Sequence, residues 1–140
     1  MTALSATQVR SDWSSVVDTV VREKPQLITR TRDQVVLANV DILSEFLSVY
    51  EFSANVYEEK DGTVTMSLNE IDLIENGADS QDALLKLAAA ILDYAEDYYN
   101  DYSYWSRGNR SVHKPYVFRA LFINDVEKIG GLIKCHLGEI

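Results

Sequence analysis

The run from Leu27 to Asn39 constrains this chain most. It reads Leu27-Ile28-Thr29-Arg30-Thr31-Arg32-Asp33-Gln34-Val35-Val36-Leu37-Ala38-Asn39. Two apolar segments, Leu27-Ile28 and Val35-Val36-Leu37, flank a polar tip, Thr31-Arg32-Asp33, that can reverse the chain. Branched side chains suit a pleated backbone, and segments this close together read as a tight β-hairpin. An amphipathic helix is expected before it and a second helix after it. Strand, helix, hairpin and helix thus follow one another in little sequence.

Thr2-Ala3-Leu4 reads as an edge strand, and Ser5 or Thr7 as the cap of the next helix, since a side-chain oxygen accepts from free backbone N–H groups. Val9, Trp13, Val16, Val17 and Val20 recur at three- and four-residue steps, which predicts one apolar stripe facing a core. Arg10 is expected in the first turn, where the helix dipole disfavours a cation; phosphate contact is a better reason for it than stability, and a solvated side chain is the plain alternative. Lys24-Pro25 should end the helix. In the hairpin, Arg30 and Arg32 are two apart and would share a face of an extended strand. Such a pair either straddles a phosphate backbone or protects an edge strand from aggregation. Asn39 should cap the following helix, with Ile42, Leu43, Phe46, Leu47 and Tyr50 on its inner side.

Four pieces, Leu4-Ser5-Ala6-Thr7-Gln8-Val9-Arg10, Lys24-Pro25, Ile28-Thr29-Arg30 and Val35-Val36-Leu37-Ala38-Asn39, stand in the order and at the spacing that resemble the N-terminal domain of the Phd/YefM (prevent-host-death) antitoxins. The resemblance covers roughly residues 1–52. It departs at Ser11-Asp12-Trp13 and in a hairpin tip without glycine. It implies a symmetric homodimer that binds operator DNA of dyad symmetry and represses its own operon. Thr7, Arg10, Arg30 and Arg32 would be the DNA-binding residues.

Charge separates the rest of the chain from this head. Residues 1–50 hold five basic and six acidic side chains; residues 51–140 hold eight and sixteen, out of a total net charge of −9. An acidic region repels nucleic acid and suits a basic partner. A second unit, residues 54–140, is expected from its own pattern. Residues 54–59 alternate, Lys60-Asp61-Gly62 signals a hairpin, and residues 63–68 return. Ile71-Asp72-Leu73-Ile74 is a third short apolar stretch that Glu75-Asn76-Gly77 ends. Asp79 or Ser80 should cap a long helix with Leu84, Leu87, Ala88, Ile91, Tyr94, Ala95, Tyr98 and Tyr102 on one side. Asp82, Lys86, Asp93, Asp97 and Asp101 fall on the other. After a polar loop at residues 106–114, Pro115 suits a first helical turn. Asn124-Asp125 should cap a final helix burying Val126, Ile129, Ile133 and Leu137, loosened by Gly130-Gly131.

The passage from strands through Glu75-Asn76-Gly77-Ala78-Asp79-Ser80-Gln81-Asp82-Ala83-Leu84 into an Ala/Leu-rich helix resembles the HicB antitoxin fold over about residues 54–100. That resemblance implies binding to a small basic, RNA-cleaving toxin of the HicA type. Asp93, Asp97 and Asp101 form an acidic stripe at four-residue spacing, where like charges repel. Tyr98 and Tyr102 belong to an aromatic cluster at the helix end that reads either as interface anchors or as core. Asp93, Asp97, Tyr98, Asp101 and Tyr102 are the expected toxin-binding residues.

The fold class is therefore α+β, with a Phd/YefM-like strand-helix-hairpin-helix head and an acidic unit of β-hairpin, strand and long helix. Hydrophobic residues make up 46% of the chain, so a folded protein is expected. No apolar run approaches the ~20 residues of a membrane helix, and no basic segment precedes an apolar stretch near residue 1. No membrane association, no signal peptide and a cytoplasmic location are expected. Cys135, His136 and His113 lack the spacing of a zinc site, and no phosphate loop, nucleophile elbow or Ser/His/Asp set appears. No enzyme activity, no cofactor and no metal are expected. Two functional readings follow: an antitoxin that binds its cognate toxin and operator DNA, or an interaction module whose head only dimerises.

Overall fold

The computed structural model describes residues 1–138 and is mixed α+β, with two compact units, Met1–Phe46 and Leu47–Ile140.

The first unit opens with β1 (Leu4–Ser5), α1 (Ala6–Ser11) and α2 (Trp13–Arg22). Ser5 is the cap of α1: its hydroxyl accepts from the Gln8 N–H, and the Gln8 side chain accepts from the Ser5 N–H. Thr7 lies inside the helix. The helix expected as one piece is two, because the backbone leaves helical geometry at Asp12 (φ −114°, ψ 32°). That break carries Trp13 out of phase with Val9, and the indole is 53% exposed instead of core. It also moves Arg10 to the last turn of its helix, where the dipole favours a cation. Arg10 is therefore placed where a cation stabilises the helix, contrary to the expectation for a first turn.

The hairpin follows as β2 (Gln26–Arg30) and β3 (Asp33–Leu37), antiparallel and in register from Gln26↔Leu37 to Arg30↔Asp33. Strand β1 pairs parallel with β2, giving the order β1-β2-β3. Val9, Val16 and Val20 pack with Leu4, Ile28 and Leu37 as a small core. Helix α3 (Val40–Leu47) is capped by Asn39, whose Oδ1 accepts from the Asp41 N–H. It buries no residue fully, and Phe46, expected on its inner side, is 65% exposed.

In the second unit β4 (Ser53–Glu58), β5 (Val64–Leu68) and β6 (Ile74–Gly77) form an antiparallel meander. Gly62 takes the positive φ of 88° in the first turn, and the Asp61 carboxylate accepts from the Thr63 N–H and hydroxyl. Residues 75–77, expected to end a strand, are themselves strand. Gly77 is required there: a Cβ would lie 2.3 Å from the Ala83 nitrogen, at the start of α4 (Ser80–Asn100). The carboxylate of Asp79 caps α4 by accepting from the Asp82 N–H at 2.8 Å.

After α4 come the short α5 (Tyr102–Trp105), a 3-10 turn (Gly108–His113), α6 (Lys114–Ile123) and α7 (Val126–Leu132). Pro115 stands in the first turn of α6, and Asp125 caps α7. The apolar spacing predicts a final helix through Leu137, but Gly130-Gly131 weakens it and Ile133 is already extended (φ −74°, ψ 119°). A last strand, β7 (Lys134–Leu137), then pairs parallel with β4, and Leu137 is 81% exposed on the sheet edge. The sheet order is β6-β5-β4-β7. Alternate residues Ala54, Val56, Val64, Met66 and Leu68 pack into one core with Leu87, Ile91, Tyr98, Val117 and Ile129 from the helices.

Candidate functional sites

At the hairpin tip, Thr31 and Arg32 make a two-residue turn, and Thr31 adopts φ 54°, the geometry for which glycine is usual. Arg32 is thus in the turn and not on the face of a strand beside Arg30. Both nonetheless line an open concavity with Ala6, Ile28, Asp33, Gln34 and Val35. Arg30 is held by Asp33 at 2.9 Å, with both side chains largely exposed. Arg32 has no ion pair among the described residues. Thr7 and Arg10 are exposed on α1, outside the lining of that concavity.

The end of α4 is organised by Tyr98. Its ring is fully buried and its hydroxyl donates to the Arg110 carbonyl at 2.7 Å. This corrects its assignment as a toxin contact: a residue at that depth has no face to offer a partner. Burial pushes its hydroxyl pKa up, as it does that of Tyr94, so both phenols keep their protons. Rings extend from Tyr98 in two directions. On one side Tyr94 meets Trp105 edge-on and shares a 2.7 Å hydrogen bond with His113 Nδ1. Arg110 closes that side, its guanidinium 4.6 Å from the Trp105 ring centre and 4.8 Å from that of Tyr104. Burial holds the His113 pKa below its ordinary value, while Asp72 opposes the shift. On the other side Tyr102 and Tyr99 both meet Phe118, which touches Phe122.

Asp93, Asp97 and Asp101 are exposed and have no ion pair among the described residues. Two residues apart on a helix means about 160° round its axis, so Asp97 and Tyr99 point almost oppositely. Asp93 and Asp97 consequently face a different side of α4 from the exposed ring of Tyr99, whereas Asp101, at the C-cap, adjoins Tyr102. The sequence groups them only by their position in the chain. Phe118 and Arg110, which complete the two ring clusters, stand on later elements, and no local spacing links them to α4.

Elsewhere, Cys135 and His136 are neighbours on β7 and point to opposite faces. Burial pushes the Cys135 thiol pKa up, which disfavours the reactive thiolate. No group of three His, Cys, Asp or Glu side chains suited to a metal ion occurs among the described residues. Nor is any helix among them long and apolar enough to cross a membrane.

Comparison with known proteins gives a consistent family. No curated protein matches the chain. A crystal structure from Syntrophomonas wolfei subsp. wolfei, described as the antitoxin part of a proposed toxin/antitoxin system, superposes with a TM-score of 0.91 at 29% identity. The alignment covers 99% of this chain and 100% of that one. A family model, PHD_like, described as antitoxin of toxin-antitoxin, RelE/RelB, TA system, matches residues 1–135 and so runs through both units. The chain belongs to this PHD_like family of toxin–antitoxin system antitoxins.

Proposed function

We propose that this antitoxin divides its work between its units. The second unit binds and neutralises a cognate toxin, an RNA-cleaving one, and the first dimerises and represses the operon by binding operator DNA. The protein acts in the cytoplasm and has no enzyme activity. One observation carries the division: charge follows the unit boundary. Met1–Phe46 holds five basic and six acidic side chains, Leu47–Ile140 eight and sixteen. A near-neutral unit with Arg30 and Arg32 around one concavity can approach phosphate, whereas the acidic unit attracts a basic nuclease and is repelled by DNA. Strand β3 lies at a sheet edge with Val35 and Val36 exposed, which favours pairing with a second copy. The Phd/YefM-like head and HicB-like tail resemblances support the same division.

A second reading keeps the dimer and toxin binding without DNA. The Arg30–Asp33 pair favours it, because a guanidinium already neutralised has less to give a phosphate. Mobility shift of the protein's own promoter DNA, together with inhibition of RNA cleavage by the cognate toxin, tests both. The full reading requires both effects. Inhibition without a shift supports the second reading, and the absence of both effects refutes toxin neutralisation and repression by this chain.

A further inference from the structure

The two ring clusters at the end of α4 are finished differently. On one flank the chain supplies its own cation, Arg110, over Tyr104 and Trp105. On the other, Tyr99 is 59% and Tyr102 41% exposed, and no cation among the described residues lies over either ring. These rings are held in place. Phe118 meets Tyr99 with centroids 6.4 Å apart and Tyr102 at 6.1 Å, and Tyr102 packs edge-on against the buried Tyr98. Preorganised, half-exposed aromatics lose little entropy on binding and are frequent binding anchors. Glu96, one turn before Tyr99, is exposed and without an ion pair among the described residues, and Asp101 adjoins Tyr102.

We propose that the Tyr99–Tyr102–Phe118 face is the toxin-docking surface and that it receives an arginine-bearing face of the toxin. This rests on the antitoxin reading above. Ring faces with carboxylates beside them suit a guanidinium, which stacks flat while its N–H groups reach the acid oxygens. The chain shows the stacking half of that arrangement on its other flank. A second copy of the chain is the poorer occupant, because two units with eight basic and sixteen acidic side chains each repel one another. On this account Asp93 and Asp97, on the far side of α4, steer the encounter without touching the docked toxin.

The test is calorimetric titration of the full-length chain with its purified cognate toxin. Tyr99→Ala is expected to weaken binding by about 10- to 100-fold, the range of a central aromatic anchor. Tyr99→Phe should stay within about threefold of the wild type, since the ring face and not the hydroxyl is used. Tyr104→Ala, on the flank that Arg110 closes, should also stay within about threefold. Wild-type binding that Tyr99→Ala leaves unchanged overturns the docking surface and spares the antitoxin reading. No binding by the wild-type chain overturns the antitoxin reading, and this surface with it. Sedimentation in which Tyr99→Ala turns a dimer into a monomer would identify the occupant as a second copy and overturn the proposal.

Discussion

Thr31 shows at the scale of one residue what the hairpin requires. A β-branched side chain at φ 54° crowds its own carbonyl, at roughly 1–2 kcal/mol for an L-residue. Glycine removes that crowding and loses about 0.5–1 kcal/mol in backbone entropy. Thr31→Gly should therefore stabilise the protein by about 0.5–1 kcal/mol, read as a higher denaturant midpoint at unchanged slope. A lower midpoint would mean that Thr31 makes an interaction worth more than its strain. Beside it, Arg30 and Arg32 differ in what they have left to offer. Arg30 is paired with Asp33, so Arg32→Ala should lower the salt slope of promoter binding more, by about one for each phosphate it leaves without a cation. Equal slopes for both variants would show that Asp33 releases Arg30 on binding DNA.

At the scale of elements, the sequence carries far where one local signal decides the outcome. The hairpin, the Asp61-Gly62 turn, the Asp79 cap, Pro115 and the Asp125 cap all stand where their residue types predict. It fails where several weak signals compete. Asp12 breaks a helix whose apolar spacing runs straight through it, and two glycines cut off α7 before residues that then extend as β7. Gly77 reads as a stop and is a close approach: Gly77→Ala would press a methyl onto the Ala83 backbone and should cost several kcal/mol, measured by chemical unfolding. The exposure of Asp93, Asp97 and Asp101 is legible in the sequence, because their four-residue spacing sets them apart from the apolar side of α4. Tyr98 lies on the apolar side that the spacing predicts, but the choice between core and interface anchor is not legible, because it depends on Arg110 and the 3-10 turn folding back over α4.

The clasp of that turn has a pH signature. His113 is neutral more readily when folded than unfolded, so the unfolded chain binds more protons around its ordinary pKa. Its contribution to stability is present above about pH 6.5 and is lost as pH falls through the depressed folded value. Glu51, Asp61 and Asp82 are held low by hydrogen bonds, from Lys134, Thr63 and the Ala78 N–H respectively, and lose their contribution only in the more acidic carboxylate range. Thermal melts should thus show a decline beginning near pH 6.5 that His113→Gln abolishes, followed by a steeper acid loss that it leaves in place. A melting temperature flat between about pH 7 and 5 would show that His113 titrates as if exposed.

At the scale of the molecule, two compact units of unlike charge lie within one family match that spans residues 1–135. In the proposed division of work, toxin neutralisation belongs to Leu47–Ile140 and operator binding to Met1–Phe46. Growth rescue measures it most directly. The cognate toxin is induced in cells carrying the full-length chain, residues 1–46 alone, or residues 47–140 alone, with expression levels matched. Full-length chain and residues 47–140 should both restore growth, while residues 1–46 should not and should still retard promoter DNA. Rescue by residues 1–46 alone would place the toxin site in the head and contradict the account.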